Sequence, residues 1–241
     1  MSDAPRMVPE SFPAQLPVPV ALARPPRGKV AVLAPHPDDE VVGPGGCVAI
    51  HRALGDPVRT LIVTDGRAGN VSGGDWREHV AARRAESRAA AELLGGYPIT
   101  FWDFPDNCVI TEDAVSEVTH RAVEWLRADP PDVVYAPAPM DAHSDHAAIA
   151  EIARRALEHI GFKGVHYGYE VWGMAPVDTV VAIDDVAERK LAAMRCFPSQ
   201  LAYTSFDHFV MGMNAARALF LPKGGRYAEG FVTLRTGGSC P

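Results

Sequence analysis

With 241 residues, 47% of them hydrophobic, the chain is long enough to bury the core of one α/β domain. Its formal charge of −7 gives no electrostatic case for nucleic acid or an anionic membrane surface as a partner. The four cysteines, Cys47, Cys108, Cys196 and Cys240, lie far apart with no CxxC pair, which argues against a thiolate zinc site and a disulfide framework.

Residues 1–27 are rich in proline, with neither a basic start nor a sustained apolar stretch, so no signal peptide is expected. No run approaches the ~18 apolar residues of a membrane span. The expectation is a cytoplasmic protein in which this arm lies loosely over a single domain of residues 28–241.

From residue 29 the chain alternates. KVAVLA (29–34) reads as a first buried strand, CVAIHRALG as a helix ending near Gly55, and VRTLIVT (58–64) as a second strand. Residues 76–94 have helical spacing and stop at Gly95-Gly96. ITFW (99–102) is a short strand, 112–128 an amphipathic helix closed by Asp129-Pro130-Pro131, DVVYAP (132–137) a strand, and 145–160 a helix. VHYGYEVW (165–172) and TVVAI (179–183) follow, then a helix near 184–196, a mixed stretch, and the apolar GFVTL (230–234). Strands spaced by helices imply right-handed crossovers and one mainly parallel α/β sheet flanked by helices. In such a fold, sites form at the carboxyl ends of strands. A sheet edge or the C-terminal segment could pair subunits.

Two loops at such ends carry the chemistry. The first holds His36, Asp38 and Asp39 within APHPDDE; the second holds Asp141, His143, Asp145 and His146. Two imidazoles and one carboxylate suit a catalytic zinc with an open position for water. Such a metal lowers the pKa of its water to roughly 7 and offsets the repulsion among Asp38, Asp39 and Glu40. Adjacent aspartates point in different directions, so one would ligate and the other act as general base. Each loop taken alone has a plainer reading. Acids before a helix cap its N-terminus, and histidines three apart can be a solvated face. A two-histidine, one-carboxylate iron oxygenase site matches the residue types, but those sites usually occupy all-β barrels. A non-catalytic metal-dependent binding module would need no general base. GPGG (43–46) lacks dinucleotide-fingerprint spacing and reads as close backbone passage beside the loop.

At these residues the sequence resembles the PIG-L/LmbE family of zinc-dependent N-acetylglucosamine deacetylases. APHPDDE with GG, TDGRAG, RRAESRAAAELLG, FWDFPDN, HSDH, YEVW, KLAAMRCFPSQ and YAEGF carry the likeness, which runs from about residue 28 to 235. The later motifs are nearest to bacterial members of bacillithiol-pathway type. The resemblance implies a Rossmann-like sheet, with His36, Asp39 and His146 as zinc ligands. Asp38 would be the general base and His143 the group stabilising the oxyanion. The implied reaction is water attack on an acetamide of a small N-acetyl-amino-sugar molecule, releasing acetate. Ser144 stands where many members have proline, and Asp141 where some have tyrosine. For substrate, Arg67 could bind a hydroxyl or anion and Asp106 could accept hydroxyl hydrogen bonds. Core packing is expected for Trp102, Tyr169 and Trp172.

Overall fold

The computed structural model describes residues 18–70, 73–202 and 204–235. Its strands are β1 (Val20–Leu22), β2 (Val30–Ala34), β3 (Val58–Thr64), β4 (Ile99–Phe104), β5 (Val133–Pro137), β6 (Val165–Tyr169), β7 (Thr179–Ala182) and β8 (Ala228–Leu234). The helices are α1 (Asp39–Val42), α2 (Gly45–Ala53), α3 (Trp76–Leu93), α4 (Glu112–Ala128), α5 (Ser144–His159), α6 (Ala187–Met194), α7 (Pro198–Leu201) and α8 (Phe206–Arg217).

All eight strands join one sheet in the order β1-β7-β8-β6-β5-β2-β3-β4. Every pairing is parallel except those of β8, which runs against both β6 and β7. The strand alternation of β2 splits the core into two layers. Val30 and Val32 pack with residues of α1, α2, α3 and α6; Ala31 and Leu33 pack with those of α4 and α5. Burying a side chain such as Leu33 or Ile152 contributes roughly 1.5–3 kcal/mol.

The chain leaves β2 toward β3 and β4 on one side, then returns to add β5 on the other side of β2. The carboxyl ends of β2 and β5 therefore border the crevice where strand order reverses, the place such sheets bind ligands.

The α/β sheet agrees with the sequence expectation; several details differ. Residues 20–22 are not loose: they pair in parallel with 179–181 as the edge strand β1. Residues 1–17 of the arm, and Cys240, lie outside the described residues. β4 runs two residues further than expected, and the helix near 184–196 divides into a 3-10 turn (Asp184–Val186) and α6. The mixed stretch contains α8. Among the described residues no helix is long and apolar enough to cross a membrane.

Candidate metal centre and active site

After β2 the backbone turns sharply. Asp38 takes φ 128°, a region that non-glycine residues rarely occupy. Its N–H donates to Glu40 Oε2 at 2.9 Å. This turn sends the neighbouring acids to different places. Asp39 reaches the histidines, Asp38 reaches Arg83 of α3 at 3.1 Å, and Glu40 is fully buried. Burial pushes Glu40 up to about 8, so one of the three consecutive acids is largely neutral near pH 7. The glycines behind the turn allow close packing: a Cβ on Gly43 would meet the Tyr169 ring at 2.2 Å.

His36 Nδ1, Asp39 Oδ2 and His146 Nε2 form a triangle. Its edges are 3.1 Å (His36–Asp39), 3.3 Å (His146–Asp39) and 3.3 Å (His146–His36). A tetrahedral zinc with bonds of roughly 2.0–2.1 Å spaces its ligands by about 3.3–3.4 Å, so donor type and spacing both fit that ion. Two ring nitrogens facing each other at 3.3 Å cannot both hold protons without repulsion; a shared cation resolves this. His143 also has a ring nitrogen within 4.8 Å of those of His36 and His146.

Electrostatics point the same way. Burial opposes charge on His36, yet Asp145 and Asp39 outweigh it and push the ring up to about 10. His146 rises to about 9, against burial, through Asp39 and Asp141. Both rings sit in excess negative potential, the setting that holds a cation. Each is also backed by a carboxylate: His36 Nε2 lies 3.1 Å from Asp145 Oδ2, and His146 Nδ1 lies 3.1 Å from Asp141 Oδ1. Such partners fix ring orientation and raise ligand basicity.

The flanking groups differ in charge. Burial raises Asp38 to about 6, with Arg83 pulling the other way. His143 caps α5: its Nδ1 accepts the N–H of Asp145 at 3.2 Å, which assigns the ring proton to Nε2. Burial, then His36 and His146, lower its pKa, so it is a neutral donor. Its ring stacks on that of His146, with centroids 4.7 Å apart.

A cavity of about 720 Å³ opens over this floor. Asp106 lines it, and its carboxylate accepts the N–H groups of Gly66 (2.9 Å) and Ala68 (2.7 Å). Arg67 does not line it; its guanidinium pairs with Asp65 at 2.5 Å and lies over the Trp76 ring. Tyr169 is buried, in accord with core packing, and Trp102 packs against the core formed by α4 and α5. Trp172 departs from that expectation, lining the cavity with 62% of its surface exposed. His51, with no partner motif in the sequence, is a buried link between Asp56 (2.9 Å) and Tyr135 (3.1 Å).

Sequence reasoning gave no role to Asp141, Asp145 or Arg83. The aspartates stand in the histidine loop, but which ring nitrogen each faces depends on the fold. Arg83 lies in the alanine- and arginine-rich helix, where nothing in the spacing singles it out from its neighbouring arginines.

The PIG-L family model, described as GlcNAc-PI de-N-acetylase, matches residues 31–157. A diacetylchitobiose deacetylase of Thermococcus kodakarensis is 30% identical over 84% of this chain and 81% of that protein. A 4-oxalmesaconate hydratase of Pseudomonas putida is 26% identical over 73% of this chain and 75% of that protein. Among solved structures, an N,N'-diacetylchitobiose deacetylase from Pyrococcus horikoshii aligns with a TM-score of 0.72 at 26% identity, covering 86% of this chain and 83% of that one. The family match begins on β2 and ends within α5, taking in both loops that build the triangle, and the chain belongs to the PIG-L family.

Proposed function

We propose that the chain is a zinc-dependent deacetylase that hydrolyses the acetamide of a small N-acetylglucosamine-containing molecule. The observation that carries this reading is the His36–Asp39–His146 triangle at a cavity floor, flanked by a partly buried carboxylate and a neutral imidazole. Zinc bound by these three residues would polarise the acetamide carbonyl and lower the pKa of water to roughly 7.

The chain's own residues handle the protons. Asp38, held by Arg83, takes a proton from water as the new C–O bond forms. His143 donates its Nε2 proton in a hydrogen bond to the carbonyl oxygen as that oxygen gains negative charge. When the C–N bond breaks, the proton held by Asp38 passes to the nitrogen, which leaves as the free amine of the sugar beside acetate. Asp106 accepts sugar hydroxyls, and Arg67, tied to Asp65, stiffens the loop after β3 whose N–H groups Asp106 holds.

The deacetylases among the relatives support the amide as electrophile. The hydratase relative supports a second reading, in which the same residues add water to a carbon–carbon double bond. The parallel sheet gives no support to the iron oxygenase alternative. The test is to load the protein with zinc, measure metal per chain, and incubate it with N-acetylglucosaminides. Acetate and free amine in equal amounts are expected. Water addition to an unsaturated carboxylate with no acetate would favour the hydratase, and binding without turnover would leave a sugar-binding module.

A further inference from the structure

The cavity has two unlike halves. One is the charged floor; the other is a wall of Trp172, just beyond β6, and Phe206 and Phe209 on the first turn of α8. Phe209 is 47% exposed although it lines a cavity, so a large apolar surface is kept at the mouth. This wall is fixed to the catalytic end. The N–H of Trp172 donates to Asp141 Oδ2 at 3.0 Å, on the carboxylate that backs His146, and its ring centroid lies 5.6 Å from that of His143.

Charge narrows what the wall can meet. Among the described residues lining the cavity the only arginine is Arg83, buried and paired with Asp38, and there is no lysine. An anionic group on the sugar would face Asp38, Asp39 and Asp106 with no uncommitted cation.

We propose that the group attached to the N-acetylglucosamine ring is uncharged and lays an apolar face on Trp172, Phe206 and Phe209. An aryl or alkyl aglycone and a second sugar ring both have that chemistry. The assignment rests on the deacetylase reading and extends it to the substrate's far end.

The test compares kcat/KM of the zinc-loaded protein for four compounds: free N-acetylglucosamine, its phenyl glycoside, N,N'-diacetylchitobiose and N-acetylglucosamine 1-phosphate. The phenyl glycoside or the disaccharide should exceed the free sugar by about tenfold or more, with the phosphate slowest; the better of the two identifies the source of the apolar face. Phe209→Ala should cut the ratio of preferred substrate to free sugar by about tenfold. Phe209→Arg should narrow the gap to the phosphate. The proposal falls if the phosphate is the best substrate, or if Phe209→Ala leaves that ratio unchanged. Acetate from the free sugar without such discrimination overturns this inference alone; no acetate from any of the four overturns the deacetylase reading itself.

Discussion

Two sets of buried charge meet near the glycine turn between β2 and α2, and they are completed differently. Lys190 of α6 donates to Glu229 of β8 at 2.7 Å and to the carbonyl of Gly43 at 3.1 Å. Glu229 also accepts the N–H groups of Gly46 (2.6 Å) and Cys47 (2.8 Å), serving as a cap for α2 from a distant strand. Both side chains are almost wholly buried, and their charges cancel. On the other side of the turn, Asp38, Asp39, Asp141 and Asp145 face two imidazoles and one arginine. The first set is complete within the chain; the second lacks positive charge. Burial of charge alone therefore does not mark a site. A deficit within the buried set does.

Substitutions on the two sides should separate along that line. His146→Ala removes a corner of the triangle and should lose zinc and activity together; a full complement of metal would remove it as a ligand, measured by metal analysis of purified protein. Asp38→Ala should keep the metal while kcat falls by about 10²–10⁴-fold, and metal loss there would exchange the roles of Asp38 and Asp39. On the closed side, Glu229→Ala leaves Lys190 buried and unpaired, costing about 3–5 kcal/mol and lowering Tm by roughly 10 °C in calorimetry. An unshifted Tm would mean that the pair is not closed as described. The smallest effect is expected for Asp145→Asn, which keeps the shape but weakens the carboxylate behind His36. Zinc affinity should fall by about 10–100-fold in a chelator competition, with little change in Tm.

Much of this was legible in the sequence. The buried runs of β2, β3 and β5 announced a parallel sheet, and the two polar loops after β2 and β5 were placed at the same end of it. What escaped depends on three-dimensional neighbours. β1 is three residues in a proline-rich stretch, held by pairing with β7 and by Leu22 against the core. The reversed direction of β8 leaves no trace in the alternation of its side chains. α8 did carry a signal, with Phe206, Phe209, Val210 and Met213 at helical spacing, but Met211 and Gly212 blur its polar face. At the site, motif residues could be listed, yet the contact between Arg83 and Asp38 spans 45 positions of chain (83 − 38) and has no local pattern. Arg67 and Asp106 show the converse: both sit in the expected loops, but only Asp106 lines the cavity.

The reversed strand has a consequence for how the molecule is made. β8 is the last strand in the chain order, yet it lies between β6 and β7 and supplies the pairing that joins β7 and β1 to the rest of the sheet. During synthesis the β2–β6 region can assemble early, while β1, made before those strands, must wait for residues 228–234 before its place in the sheet exists. Until then Lys190 lacks Glu229, and the turn that carries Asp38 and Asp39 lacks its rear support. The site is thus finished by β8 rather than by the segment that encodes its ligands. A nascent chain arrested before β8 should expose sheet edge and be readily cleaved by protease, whereas the released protein should resist.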